Sequence, residues 1–204
     1  MHLRKSIFIL TVLLILGCEK RINEIRYYPS KHSFSKDSLI LVGLDTGKLN
    51  FIQIAQKVDH HIFYHGYGNF FVEFDDGQIK KRIAPLTYGA GLVRQKNGLT
   101  IASDSIHIDD GYPISDLNWV LKRHYLNKGR VPYYSDSPKR AFVEISIDTN
   151  SNGMELKEIL TKITRSFDAI RTEINDSIVL RIYFDNIIEI KPPPPAPSIE
   201  RIGN

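Results

Sequence analysis

The sequence predicts an α+β fold, on three observations. Short stretches with an apolar face recur between residues 38 and 97, and Asp76-Gly77 offers a tight hairpin turn among them. From 98 to 184 the order becomes strand, helix, strand, helix, strand. Each strand has one strongly apolar face, which places helices on one side of the sheet and argues against a doubly wound fold. The expected organisation is a leader at 1–17, a tether at 18–37, an antiparallel β meander at 38–97, an α+β region at 98–190 and a proline-rich tail at 191–204.

The leader begins with Arg4 and Lys5, continues as an apolar run from Ile7 to Leu16, and ends at Gly17-Cys18. The run is half the roughly 20 residues that a spanning helix needs, so it reads as a signal-peptide core. Ile15-Leu16-Gly17-Cys18 resembles the bacterial lipobox, and Cys18 is the only cysteine. The resemblance implies cleavage before Cys18, lipid on Cys18 as the new N-terminus, and a membrane-anchored protein of the cell envelope. Glu19 is not the Asp associated with inner-membrane retention in some bacteria, which favours the outer membrane. With Cys18 lipidated no intramolecular disulfide can form, so stability rests on packing.

Loss of Arg4 and Lys5 takes the net charge from +4 to +2. Such a value argues against general nucleic-acid binding, which needs a basic stripe. Hydrophobic residues at 42% and charged residues at 25% are those of a folded chain rather than a disordered one.

Residues 19–37 show no periodicity and are read as the tether. Leu39 to Val42, then Leu49, Phe51 and Ile52 to Ile54, are read as strands. Phe70 to Asp75 and Gln78 to Ile83 form the expected hairpin. Further on, Ser115 is expected to cap a helix, with Ile114 and Trp119 as its hydrophobic staple, and Gly129 to close it. Val143, Ile145 and Ile147 share one strand face; Phe142, Glu144 and Ser146 share the other. Asn152 and Glu155 form a capping-box pattern before the clearest helix. There Leu156, Ile159, Leu160, Ile163, Phe167, Ile170 and Ile174 keep helical spacing. Ile178, Leu180, Ile182 and Phe184 line the last strand. Pro192, Pro193, Pro194 and Pro195 predict a polyproline II spacer.

Four groups carry residue types suited to chemistry. Asp45-Thr46-Gly47 resembles the triplet of retroviral-type aspartic proteases, which need two such carboxylates. Lys48 departs from that pattern, and the favoured reading is a turn in which Asp45 bonds its own backbone and Gly47 takes a positive φ. Asp59, His60, His61 and His65 hold metal-ligand types. They lack a metal motif, and Ile62 to Tyr64 looks like strand, so no metal is expected. Asp104, Ser105, His107, Asp109 and Asp110 hold triad types, but Ser105 and His107 lie two apart on one strand without a nucleophile elbow. Tyr133 and Tyr134, beside Lys128, Arg130, Lys139 and Arg140, form a candidate contact loop.

The second half carries a further resemblance. Leu99 to Ile101, Ile106 to Ile108, Pro113 to Leu117, Val143 to Asp148 and Val179 to Ile182 follow the order of the periplasmic domain of the ExbD/TolR biopolymer-transport family. The resemblance implies an envelope contact module. It does not extend to motor activity, because the family's membrane helix carries an Asp and this leader holds no acid.

The expected function is therefore a lipid-anchored, non-catalytic binding or scaffold module. It would touch protein or cell wall through Tyr133, Tyr134 and the proline tail, in association with a transport complex, without a cofactor. The alternatives are an envelope enzyme using Asp45 and a small-ligand carrier.

Overall fold

A computed structural model describes residues 21–33, 40–66, 69–86, 95–174 and 178–185. The first half contains β1 (Glu24–Tyr28), β2 (Ile40–Gly43), α1 (Phe51–His65), β3 (Phe70–Asp76) and β4 (Ile79–Ile83). The second contains β5 (Gly98–Ile101), β6 (Ser105–His107), β7 (Tyr112–Pro113), α2 (Leu117–Leu126), β8 (Phe142–Ile145), α3 (Gly153–Glu173) and β9 (Ile182–Phe184). They build two mixed sheets, ordered β1-β4-β3-β2 and β7-β6-β5-β8-β9. The fold is α+β, and the second half has the expected strand–helix–strand–helix–strand order.

The first half departs from an antiparallel meander. Only β3 and β4 are antiparallel; β1 lies parallel to β4 and β2 parallel to β3. Parallel neighbours require a crossover, and α1 is that crossover between β2 and β3. Aromatic and β-branched residues fill the segment from Phe51 and favour strand locally. Its buried residues, Phe51, Ile54, Ala55, Val58 and His61, instead keep helical spacing. Asn50 starts the helix: its side chain accepts from the Gln53 amide at 3.0 Å, and Gln53 accepts from the Asn50 amide at 3.1 Å.

The tether reading of 18–37 also gives way in part. Glu24–Tyr28 is a sheet strand, with Tyr28 only 1% exposed. Its partner β4 lies more than fifty residues away, so no local pattern announces the pairing.

Helix α3 sits at the centre. The Asn152–Glu155 capping box forms as expected. Leu156, Ile159, Leu160, Ile163, Phe167 and Ile170 are all buried in a single core that both halves share. Phe167 lies between Tyr28 and Tyr125, at ring distances of 6.3 and 5.6 Å. On the side of the first sheet the contacts are polar. Arg26 and the Tyr28 hydroxyl both donate to Asp168, at 2.6 and 2.8 Å. Lys81 is 1% exposed; its ammonium lies 2.7 Å from Asp76 and donates to Thr164 Oγ1 at 2.8 Å. The halves also join at their helix starts. The Phe51 and Ile52 amides, which a helix N-terminus leaves unpaired, donate to the carbonyls of Ser151 and Thr149.

The hairpin turn is as expected, with Gly77 at φ 62°. Gly129 likewise takes a positive φ of 75° after α2. The expected cap of α2 does not form. A 3-10 turn, Ile114–Asp116, precedes the helix, and the Ser115 hydroxyl faces the Asp116 carboxylate at 3.4 Å. Trp119 is half exposed and packs edge-on against Tyr112 at 5.2 Å.

Candidate functional site

Two concave faces carry the candidate chemistry. The first is an open groove of about 990 Å³ between the edge strand β2 and helix α1. One wall is Ile40 to Gly43; the other carries Gln53, Gln56, Lys57, His60 and His61. Among the described residues β2 has a neighbour on one side only, β3. The Ile40 and Leu44 amides donate to the carbonyls of Asn69, just before β3, and Glu73, so alternation turns the amides of Leu41 and Gly43 away from β3. Ile40 and Leu41 are each 43% exposed.

The histidines belong to this groove. Because 51–65 is a helix, His61 and His65 share a face, and their rings stack at 4.8 Å. His61 is 7% exposed, and its Nε2 has no hydrogen-bond partner. Burial, then the neighbouring His65 and His60, hold its imidazole below the usual histidine range. Among the described residues no group of three or more His, Cys, Asp or Glu is placed to hold a metal ion.

The second face is a trough of about 720 Å³ on the outer side of the second sheet. Register builds its floor: His107, Thr100 and Glu144 stand in one row across β6, β5 and β8, which Tyr183 continues on β9. Thr100 donates to Glu144 at 2.8 Å. Phe142 packs on Tyr183 at 4.7 Å and lies over Gly98, where a Cβ would fall 2.7 Å from the ring. Tyr133, Lys96, Asp109 and Asp185 rim the trough. Carboxylates, a hydroxyl and aromatic rings together suit a polar partner such as a peptide or polyhydroxyl chain.

The protease-like and triad-like residues have the following partners. Asp45 accepts from the Asp75 amide at 2.7 Å and pairs with Lys157. It therefore ties the turn after β2 to the hairpin and to α3. Gly47 is required by close approach, not by a positive φ, since a Cβ there would lie 2.5 Å from the Gly43 carbonyl oxygen. Ser105 Oγ lies 3.2 Å from His107 Nε2, but it donates to Asp104 at 3.0 Å. In a working triad the carboxylate orients the histidine instead.

The tyrosine loop divides. Tyr133 is 60% exposed and rims the trough. Tyr134 is fully buried, with Arg123 stacked 4.6 Å from its ring centre, so it is a packing residue and not a contact residue. Two asparagines fold the loop inward. Asn127 Nδ2 donates to the carbonyls of Val131, Tyr134 and Ser135, each at 3.0 Å. Asn97 Oδ1 accepts from the Ser135 hydroxyl and the Asp136 amide. Cys18 and Pro192 to Pro195 lie outside the described residues. Sequence reasoning missed the groove because it read α1 as strand; the Asn50-x-x-Gln53 pattern was the signal that could have found it.

No family model, curated protein or solved structure matches this chain.

Proposed function

We propose that the protein is a lipid-anchored envelope lipoprotein that acts as a non-catalytic binding module. The observation that carries this reading is the pair of open concave faces. Both are built from ordered strands, while the Asp45 and Ser105 groups are engaged in structural bonds. The lipobox-like Leu14 to Cys18 stretch supplies the location. Among the described residues no helix is long and apolar enough to cross a membrane. The resemblance of the second half to the ExbD/TolR periplasmic domain supports a contact role beside a transport complex. Tyr133 and the proline tail contribute to the contact.

The test is crosslinking in intact cells followed by identification of partners, with Tyr133→Ala and a chain ending at Ile190 as comparisons. A specific protein or cell-wall adduct, weakened in either variant, is the expected result. Turnover of an envelope substrate by purified protein, without any adduct, would move the function to the enzyme class.

A further inference from the structure

We propose that the groove between β2 and α1 binds an extended peptide segment of a partner as an added strand, and that this segment carries a carboxylate. The proposal rests on the binding-module reading and assigns that module a site and a ligand class.

Three independent observations support it. The first is geometry. Among the described residues no strand lies on the outward side of Leu41 and Gly43, and a strand laid there would bond the Leu41 peptide group and the Gly43 amide, the Gly43 carbonyl being covered by Gly47. Helix α1 runs beside that edge, so alternate side chains of the added strand would enter the groove.

The second is charge. Among the described residues the lining holds Lys57, His60, His61 and His65 and no Asp or Glu. Lys57 is a cation at neutral pH, and each imidazole can donate an N–H, so the complement is an acidic side chain or a C-terminal carboxylate. The third is an unmet bond. His61 is more than nine-tenths buried, lines the groove, and leaves Nε2 without a partner. A buried polar atom in that state costs free energy, and because Nε2 has almost no accessible surface the ring must turn toward the groove before a ligand oxygen can meet it.

The test uses the full chain in detergent micelles with two acetylated hexapeptides, one alternating valine and glutamate, the other valine and lysine. Binding is read by backbone amide shifts. The glutamate peptide is expected to bind at least tenfold tighter than the lysine peptide and to shift Leu41 and Gly43 most. Leu41→Pro removes an outward N–H from an edge strand without breaking the β2–β3 ladder, so it should abolish binding and leave distant amide shifts unchanged. Lys57→Glu, at an exposed position, should reverse the preference between the peptides.

Equal binding of both peptides, unaffected by Lys57→Glu, would overturn the acidic assignment. No binding of either at millimolar concentration would overturn the groove as a peptide site; partners still crosslinked in cells would leave the binding-module reading standing. Concentration-dependent self-association with shifts at Leu41 and Gly43 would make the occupant a second copy of this chain, and would also overturn the proposal.

Discussion

Asp76→Asn should destabilise the protein far more than Lys81→Met: both remove the buried Lys81–Asp76 pair, and Asp76→Asn also removes the pair with Arg165. The Lys81 ammonium is buried and has two polar partners, Asp76 at 2.7 Å and the Thr164 hydroxyl at 2.8 Å. Asp76→Asn leaves this cation inside the protein without its paired carboxylate, with Asp168 acting only through space, a change that costs about 3–5 kcal/mol. Lys81→Met leaves Asp76 with Arg165, whose Nε donates to it at 3.0 Å. Thr164 also keeps its bond to the Leu160 carbonyl. The methionine chain fills the volume of the lysine stem, so the net cost should be about 1 kcal/mol, the worth of one hydrogen bond. The double variant should be more stable than Asp76→Asn alone, because no buried cation remains. Burial already lowers the Lys81 pKa. In Asp76→Asn it falls further below the unfolded value, so the unfolded state binds more protons and stability rises with pH. The deficit should therefore shrink between pH 7 and 10. Urea unfolding followed by circular dichroism measures all three variants. Equal losses for the two single variants, or a loss below about 1 kcal/mol for Asp76→Asn, would refute the reasoning.

Other expectations follow from the same structure. His124 is fully buried, and burial pushes its pKa down to about 4, so the unfolded chain alone takes a proton between about pH 6.5 and 4. Stability should fall over that window by roughly 3 kcal/mol as pH is lowered; an imidazole NMR titration of His124 with a midpoint above 6 would contradict this. Ile163→Asp, in the buried stripe of α3, should unfold the protein, whereas Met154→Asp, at a half-exposed position on the same helix, should change stability by less than about 1 kcal/mol. Denaturant midpoints decide between them. Cys18→Ser should leave the precursor uncleaved or release the protein from membranes, read by fractionation and intact mass; normal cleavage with unchanged membrane binding would remove the lipoprotein reading.

Legibility in the sequence followed the range of the interactions. The stripe of α3 and its Asn152–Glu155 box were readable because both are set by residues three to seven apart. The Asp76-Gly77 hairpin was readable for the same reason. Helix α1 was misread because Phe51, Ile52 and Ile54 favour strands locally, while the capping box and buried face that fix it as a helix emerge only with the Asn50–Gln53 pairing. Strand β1 was invisible because its parallel partner is β4, and pairing at that distance leaves no local period. The trough row of His107, Thr100, Glu144 and Tyr183 depends on register across four strands. Alternation alone places Glu144 on the outer face without naming its neighbours. Tyr134 looked like a contact residue from its basic surroundings; the inward turn of its loop depends on Asn127 and Asn97, one of them nearly forty residues away.

The central claim is that this protein works in the envelope by contact rather than by catalysis. Its most direct test is photo-crosslinking in intact cells, with benzoylphenylalanine placed in turn at positions 41, 133 and 119 of the full chain. Leu41 lines the groove, Tyr133 rims the trough, and Trp119 is exposed and lines neither. The account predicts a discrete adduct in the membrane fraction from position 41 or 133 and none from 119. The same adducts from all three positions, or none from any while the purified protein turns over an envelope substrate, would contradict it.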